Sequence, residues 1–154
     1  MDQFFRFHDL AVGHRVKVKG KLAEDGAFAA LQISLRPPDH HASIEGVIQE
    51  IDHQNFLLRV LNREIGVPAN ALIKDAEHQH REFKNLRVED VVKIKGVYNN
   101  NEGLVPIKIK VQETMGFHID ELQGAIDHID HESRALQLAG FTVAVTERTT
   151  IEGF

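Results

Sequence analysis

The chain has 154 residues, no cysteine, 42% hydrophobic residues and a formal net charge of −5. The hydrophobic content is sufficient for a packed core, and the missing cysteines exclude disulfides, thiolate metal sites and a cysteine nucleophile. The acidic balance argues against general binding to nucleic acid or anionic membranes, and no stretch approaches the ~20 apolar residues of a membrane span.

The N-terminal sequence MDQFFRFHDL is acidic at its second position and has no apolar run of signal-peptide length. We therefore expect a cytoplasmic location for the chain as written. A periplasmic or secreted location is expected instead if a leader was removed.

The first strand pattern is VKVKGK, in which Val16 and Val18 alternate with Lys17 and Lys19. Such period-2 alternation is typical of a strand with one buried face. A turn at EDG follows, and the alternation resumes up to about residue 35. The sequence predicts two strands between about residues 14 and 35.

The middle of the chain begins with IEGVIQEIDHQNFLLRV, which predicts a hairpin with DHQN as its turn. REIGVP predicts a third strand, ended by Pro68. After it, Asn70 is a candidate N-cap, and a helix is predicted with Leu72, Ile73, Ala76 and Phe83 on one face. VVKIKGVY and LVPIKIKVQE then predict two more strands. Three strands, a helix and two strands is the order of an OB-type barrel.

The C-terminal segment LQGAIDHIDHESRALQL resembles IEGVIQEIDHQNFLLRV of the middle unit, and the N-terminal FHDLAVGHRVKVKGKL resembles the later FKNLRVEDVVKIKGVY. The C-terminal segment therefore predicts three strands between about residues 122 and 146. The chain reads as a second half, a whole unit and a first half, which is an internal repeat with an unusual phase.

Each half alone would expose unpaired strand edges, so we expect the halves to pair. The predicted fold class is mainly β, with two OB-like five-stranded barrels and one short helix. One barrel is contiguous, residues 42–113, and the second is formed by residues 1–36 plus 120–154, either circularly permuted within one chain or swapped between chains. Residues 1–36 carry 6 basic and 4 acidic side chains, whereas residues 114–154 carry 2 and 7, so the two ends differ in sign.

The pattern of the whole unit resembles a bacterial OB-like β-barrel domain family of unknown function, common as repeats in periplasmic and secreted proteins. The resemblance rests on Ile44, Gly46, Ile51, Asp52, Leu86, Val88, Val92 and Gly96, with echoes at Gly124, Ile129, Asp130, Leu10, Val12, Val16 and Gly20. It implies a fold and a tendency to occur in arrays, and it assigns no catalytic residue.

Ten histidines suggest a metal site, because imidazole and carboxylate ligands suit Zn²⁺, Ni²⁺ or Cu²⁺. The candidate ligands are His40, His41, His128 and His131, in the segments PPDHH and DHIDHE. Polar turn and surface residues are the favoured interpretation of these histidines, and no cofactor is expected if it holds.

Lys17, Lys19, Lys93 and Lys95 could form a basic face for single-stranded nucleic acid, which OB barrels often bind. Aromatic stacking platforms are scarce, since the chain has no Trp and a single Tyr. A solvated strand face that discourages edge pairing is the favoured interpretation, and nucleic acid is not the expected partner.

No serine has the G-x-S-x-G context of a nucleophile elbow, and no glycine-rich phosphate loop precedes a helix. We therefore predict that the protein is not an enzyme. The predicted function is a non-catalytic structural or interaction module with a protein partner or self-association, and with strand exchange as the route to assembly. Phe4, Phe5 and Phe154 are expected to cover the end of the second barrel.

Overall fold

The computed structural model describes residues 6–113 and 119–153. Strands make up 57% of the chain, which confirms the mainly β class. Helix within the described residues is limited to two 3₁₀ turns, Phe7–Asp9 and Phe83–Asn85. No helix in these ranges is long and apolar enough to cross a bilayer. Phe4, Phe5 and Phe154 lie outside the described residues.

The chain divides into two compact units. Unit 1 comprises Met1–Ala42 and Ile119–Phe154, and unit 2 comprises Ser43–His118. The strands of unit 1 are β1 (Arg15–Leu22), β2 (Phe28–Arg36), β9 (Asp120–Asp130), β10 (Ala135–Leu138), β11 (Phe141–Ala144) and β12 (Thr150–Glu152). The strands of unit 2 are β3 (Ala42–Asp52, whose first residue falls in unit 1), β4 (Leu57–Val60), β5 (Arg63–Gly66), β6 (Leu72–Lys74), β7 (Val91–Asn99) and β8 (Gly103–Gln112).

Unit 1 contains a closed five-stranded barrel built from both ends of the chain. β1 pairs with β2, β9 with β10 and β10 with β11, all antiparallel, and β11 pairs in parallel with β2. The antiparallel pairing of β1 with β9 closes the ring, with Val16 opposite Gly124 and Val18 opposite Leu122. Because side chains alternate along each strand, Val16, Val18 and Leu122 all point inward and are fully buried.

Unit 2 contains the corresponding strands in continuous chain order. β4 pairs with β3 and β5, β7 pairs with β8, and β3 lies next to β7. Its core holds Ile48, Val60, Ile94 and Ile109, each with less than 1% of its surface exposed. Apart from β6 and β12, the strands of both units therefore lie where the alternating sequence patterns predict them.

Two glycines bend the long hairpins at corresponding places. The register shifts between Lys19 and Gly20 on β1, and between Lys95 and Gly96 on β7. A Cβ atom at Gly20 would lie 2.0 Å from the carbonyl oxygen of Ala29, and one at Gly96 would lie 2.0 Å from that of Val105. Each bulge therefore depends on a backbone approach that only glycine permits.

The prediction of a helix after Asn70 is wrong. The segment forms β6 instead, which pairs in parallel with β8 and places Ile73 opposite Ile109. A turn follows in which Asp75 Oδ1 accepts hydrogen bonds from the backbone N–H groups of Glu77 and Gln79, both at 2.9 Å. The aspartate side chain thus offers the backbone an alternative to helical bonding. Leu72, assigned to the buried helix face, is 37% exposed.

Unit 1 has a counterpart of β6 that the sequence patterns did not predict. β12 pairs in parallel with β2, and Ile151 lies opposite Ile33. Each unit therefore adds one short parallel strand to the five that were predicted. In unit 2 this strand stands where a helix was predicted, and in unit 1 it lies near the C-terminus.

Candidate functional site

A cleft of about 610 Å³ opens in unit 1 beside the first 3₁₀ turn. Its walls come from that turn, from the β9–β10 turn and from the segment that leads from β11 into β12. The residues that matter for its chemistry are Arg6, Phe7, His131, Glu132, Arg134 and Glu147. The cleft therefore combines residues from both ends of the chain.

Phe7 forms the aromatic floor of this cleft and is 6% exposed. The His131 ring stands edge-on to it, with a centroid distance of 5.6 Å and an interplanar angle of 71°. The guanidinium carbon of Arg134 lies 5.4 Å from the Phe7 ring centroid. This cation–π contact is worth about 0.5–1 kcal/mol at an exposed site, and it holds the cationic group inside the cleft.

The β9–β10 turn positions His131 and Arg134. Asp130 Oδ1 accepts hydrogen bonds from the backbone N–H groups of Glu132 and Ser133, at 3.0 and 3.3 Å. The bond from the Ser133 backbone is the main reason that the pKa of Asp130 lies below its ordinary value. Arg134 has a φ of 55°, so the turn needs a left-handed residue at this position.

Four charged side chains line the cleft: Arg6, Arg134, Glu132 and Glu147. Within residues 6–113 and 119–153, none of the four forms an ion pair with another side chain. The cleft thus offers two guanidinium groups and two carboxylates to a ligand. This arrangement suits a small ligand or peptide segment with charges of both signs, and a polyanion would meet the two glutamates.

Unit 2 has a different arrangement at the corresponding place. Phe56 takes the turn position of Arg134, with the same φ of 55°, and its ring packs against Phe83 at a centroid distance of 5.1 Å. His53 stands edge-on to Phe83 at 5.7 Å, as His131 does to Phe7. Glu82, in the place of Arg6, precedes the second 3₁₀ turn. An aromatic cluster therefore replaces the cationic cleft.

The structure brings together two of the four histidines predicted as metal ligands. His40 and His41 lie with Asp39 in the segment between β2 and β3, and one potential ligand atom from each of the three lies within 4.8 Å of the others. His128 is exposed on β9, opposite Gln137 of β10. His131 lies in the cleft beside Phe7.

The four predicted lysines divide between the units. Lys17 and Lys19 lie on β1, and Lys17 Nζ is 3.4 Å from Oε1 of the buried Glu121. Lys93 and Lys95 lie on β7, directly opposite Lys110 and Lys108 of β8. The more concentrated basic face is therefore the one on the β7–β8 hairpin of unit 2.

A family model described as a domain of unknown function (DUF5666) matches residues 2–34 and 45–110, more than half of the chain. The chain belongs to this family. No curated protein and no solved structure matches the chain. The DUF5666 match includes Arg6 and Phe7 of the cleft but not His131 or Arg134, so it assigns no ligand to the cleft.

The sequence predictions missed Arg6 and Arg134. A signal was nevertheless available, because the similar segments IDHQNF and IDHESR differ in their last three residues and end in Phe56 and Arg134. A charged residue at a position that is aromatic in the similar segment points to a change of role. Asp39 belongs to the segment PPDHH, whose carboxylate and imidazole groups carried the sequence prediction of a metal site.

Proposed function

We propose that the protein is a non-catalytic binding module made of two OB-like barrels. Residues 42–113 form the contiguous barrel, and residues 1–36 with 120–154 form a circularly permuted one. The β1–β9 pairing within a single chain is the observation that supports this architecture. It satisfies the strand edges that each half would otherwise expose, so assembly by strand exchange is not needed to complete the barrel.

The cleft beside Phe7 is the binding site in this proposal. The Arg134 guanidinium stands over the Phe7 ring, and Arg6, Glu132 and Glu147 line the same cleft. The ligand that fits is a peptide segment of a protein partner that carries both a carboxylate and an ammonium group.

A random-peptide phage library selected on the immobilised protein tests this function. We expect peptides of mixed charge to be enriched, and Arg134→Phe to weaken their binding by roughly 10- to 100-fold, because a hydrogen bond to a charged group is worth about 1.5–3 kcal/mol. Phenylalanine is the matched replacement, since Phe56 occupies the corresponding position in unit 2.

Arg87→Ala is the control variant, because Arg87 is an exposed arginine of unit 2. It should bind the selected peptides as the unmodified protein does. Selection of no peptide family, or equal binding by the Arg134→Phe variant, would contradict the proposed site.

A further inference from the structure

A second group of chemistry-bearing side chains lies away from the cleft, in the segment that joins β2 to β3. Asp39, His40 and His41 follow each other directly and are preceded by Pro37 and Pro38. Adjacent residues of an extended strand point in opposite directions. Here the His40 and His41 rings stack at a centroid distance of 4.1 Å with an interplanar angle of 35°, so both imidazoles lie on the same side of the chain.

The Asp39 carboxylate lies at the same side. Its Oδ1 is 2.8 Å from Nδ1 of His41 and 3.7 Å from Nδ1 of His40. It also accepts a hydrogen bond from the backbone N–H of His41 at 3.0 Å, which fixes the carboxylate over the two rings. Three potential ligand atoms are therefore close together and face one another.

These separations are close to those of a metal centre. In a tetrahedral site with metal–ligand bonds of about 2.0–2.1 Å, neighbouring ligand atoms lie roughly 3.3 Å apart. The Asp39 Oδ1 atom lies at 2.8 and 3.7 Å from the two imidazole nitrogens, on either side of that value. Each of these two separations differs from it by about half an ångström, and all three ligand atoms lie within 4.8 Å of one another.

We propose that Asp39, His40 and His41 together bind one divalent transition-metal ion per chain, such as Zn²⁺. Two imidazoles and one carboxylate are a donor set that Zn²⁺, Ni²⁺ and Cu²⁺ accept, whereas Mg²⁺ and Ca²⁺ prefer oxygen ligands alone. Three protein ligands leave a coordination position of Zn²⁺ for water or for a group of a partner.

A positively charged side chain, that of Arg15, lies near the group. Arg15 is near enough to Asp39 to favour its ionised form. The guanidinium of Arg15 is directed to Gln123, whose side-chain oxygen accepts from Nη1 and Nη2 at 2.8 and 3.0 Å when the amide is oriented with its oxygen toward Arg15. The Asp39 carboxylate therefore remains available to a cation, and the imidazole of His40, with 79% of its side-chain surface exposed, is accessible from solvent.

The site includes two of the four histidines predicted from the sequence and excludes the other two. His128 and His131 belong to β9 and to the turn that follows it, and neither is part of the three-residue group. They are consequently the matched controls, because they are exposed histidines of the same unit beside the carboxylates of Asp127, Asp130 and Glu132.

Calorimetric titration of the untagged, metal-stripped protein with Zn²⁺ tests the proposal, and visible absorption of the Co²⁺-loaded protein reports coordination by nitrogen and oxygen. We expect one equivalent of Zn²⁺ to bind with a micromolar Kd. Asp39→Ala, His40→Ala and His41→Ala should each raise the Kd by at least about tenfold, since loss even of a residue that only orients a metal ligand costs 10–100-fold. The His128→Ala/His131→Ala double variant should bind as the unmodified protein does.

The three ligand variants alter an exposed segment, and circular dichroism will show that each remains folded. For the unmodified protein, NMR signals of the His40 and His41 rings should shift with one equivalent of Zn²⁺ while that of His128 stays in place. The absence of saturable binding up to millimolar Zn²⁺ would overturn the proposal. An unchanged Kd in any one of the three ligand variants, or a loss of binding in the double variant, would overturn it as well.

Discussion

Units 1 and 2 reach closely similar local structures from different chain orders. Unit 2 is built from consecutive strands, whereas unit 1 combines β1 and β2 from one end of the chain with β9, β10 and β11 from the other. Both have a glycine bulge, and both join two short strands by a two-residue turn with positive φ, at Leu61–Asn62 and Ala139–Gly140. The comparison teaches that these features follow from local sequence and side-chain packing, and do not require a continuous chain.

The two units differ in the residue that lies against the buried phenylalanine ring. The floor of the cleft in unit 1 has the same Phe–His contact as its counterpart in unit 2, Phe7 with His131 and Phe83 with His53. The residue placed over the ring is Arg134 in unit 1 and Phe56 in unit 2. Because both units form this turn, the positive charge of Arg134 is not needed to build it.

The largest expected effect is the formation of an engineered disulfide that links β1 to β9 and closes unit 1 covalently. Ile126 N donates to His14 O, so the next register pair, Arg15 and Ala125, is a non-hydrogen-bonded pair with closely approaching side chains. The chain has no natural cysteine. We expect the Arg15→Cys/Ala125→Cys variant to form a disulfide within one chain almost completely on mild oxidation, as a faster-migrating monomer in non-reducing electrophoresis.

Arg15→Cys alone is the control, and it should leave a free thiol with no change in migration. A disulfide-linked dimer or ladder from the double variant would mean that β1 pairs with β9 of another molecule. That result would show that the barrel of unit 1 is not completed within one chain.

A somewhat smaller effect is expected from filling the two glycine bulges. Gly20→Ala and Gly96→Ala should each destabilise the protein by about 3 kcal/mol or more, because the added Cβ meets a backbone carbonyl that cannot move away cheaply. Chemical denaturation measures the loss, and hydrogen exchange shows whether it stays within the altered unit. Gly66→Ala is the control, since a Cβ there would have ordinary contact with Leu57 at 3.8 Å.

Equal losses of stability in the Gly20→Ala and Gly96→Ala variants would show that the two bulges contribute equally to stability. A loss below that of the Gly66→Ala control at either position would show that the corresponding bulge relaxes easily.

The smallest expected effect concerns the aspartates that cap the β3–β4 and β9–β10 turns. Hydrogen bonds hold the pKa of both below the ordinary value, chiefly from the Asn55 side chain for Asp52 and from the Ser133 backbone for Asp130. A lowered folded-state pKa contributes stability that is present above the unfolded-state pKa of about 3.9 and is lost as pH falls through the folded value.

Asp52→Ala and Asp130→Ala should therefore destabilise the protein near neutral pH, and the difference from the unmodified protein should shrink below about pH 4. Thermal unfolding at a series of pH values measures this. Each substitution removes side-chain as well as backbone hydrogen bonds, from Asn55 to Asp52 and from Ser133 to Asp130. A difference that stays constant down to acid pH would show that the lost stability is not electrostatic.

Much of the strand structure could be predicted from sequence, because a barrel strand alternates buried and exposed side chains. Val92 and Ile94 on β7 and Val16 and Val18 on β1 are buried as the pattern requires. The segment after Asn70 was mispredicted, since Leu72 and Ile73 fit a helical face and a short strand equally well. The parallel pairing of Ile73 with Ile109 decided between them, and a pairing between distant residues leaves no mark in local periodicity.

The site was less accessible to prediction for the same reason. Arg6 and Arg134 are far apart in sequence, and only the pairing of the chain ends brings them to one cleft. The contact between His40 and His41 could be anticipated because they are neighbours, but the direction of their rings depends on the path of the segment between β2 and β3.

The closure of β1 on β9 has a consequence for how the molecule forms during synthesis. All of unit 2 is synthesised before β9, so β1 and β2 lack their partner strands for most of translation. The barrel of unit 1 must then join segments separated by most of the chain, and such distant pairings fold slowly. The N-terminal hairpin is consequently the part of the nascent chain with the longest exposure to aggregation or to a chaperone.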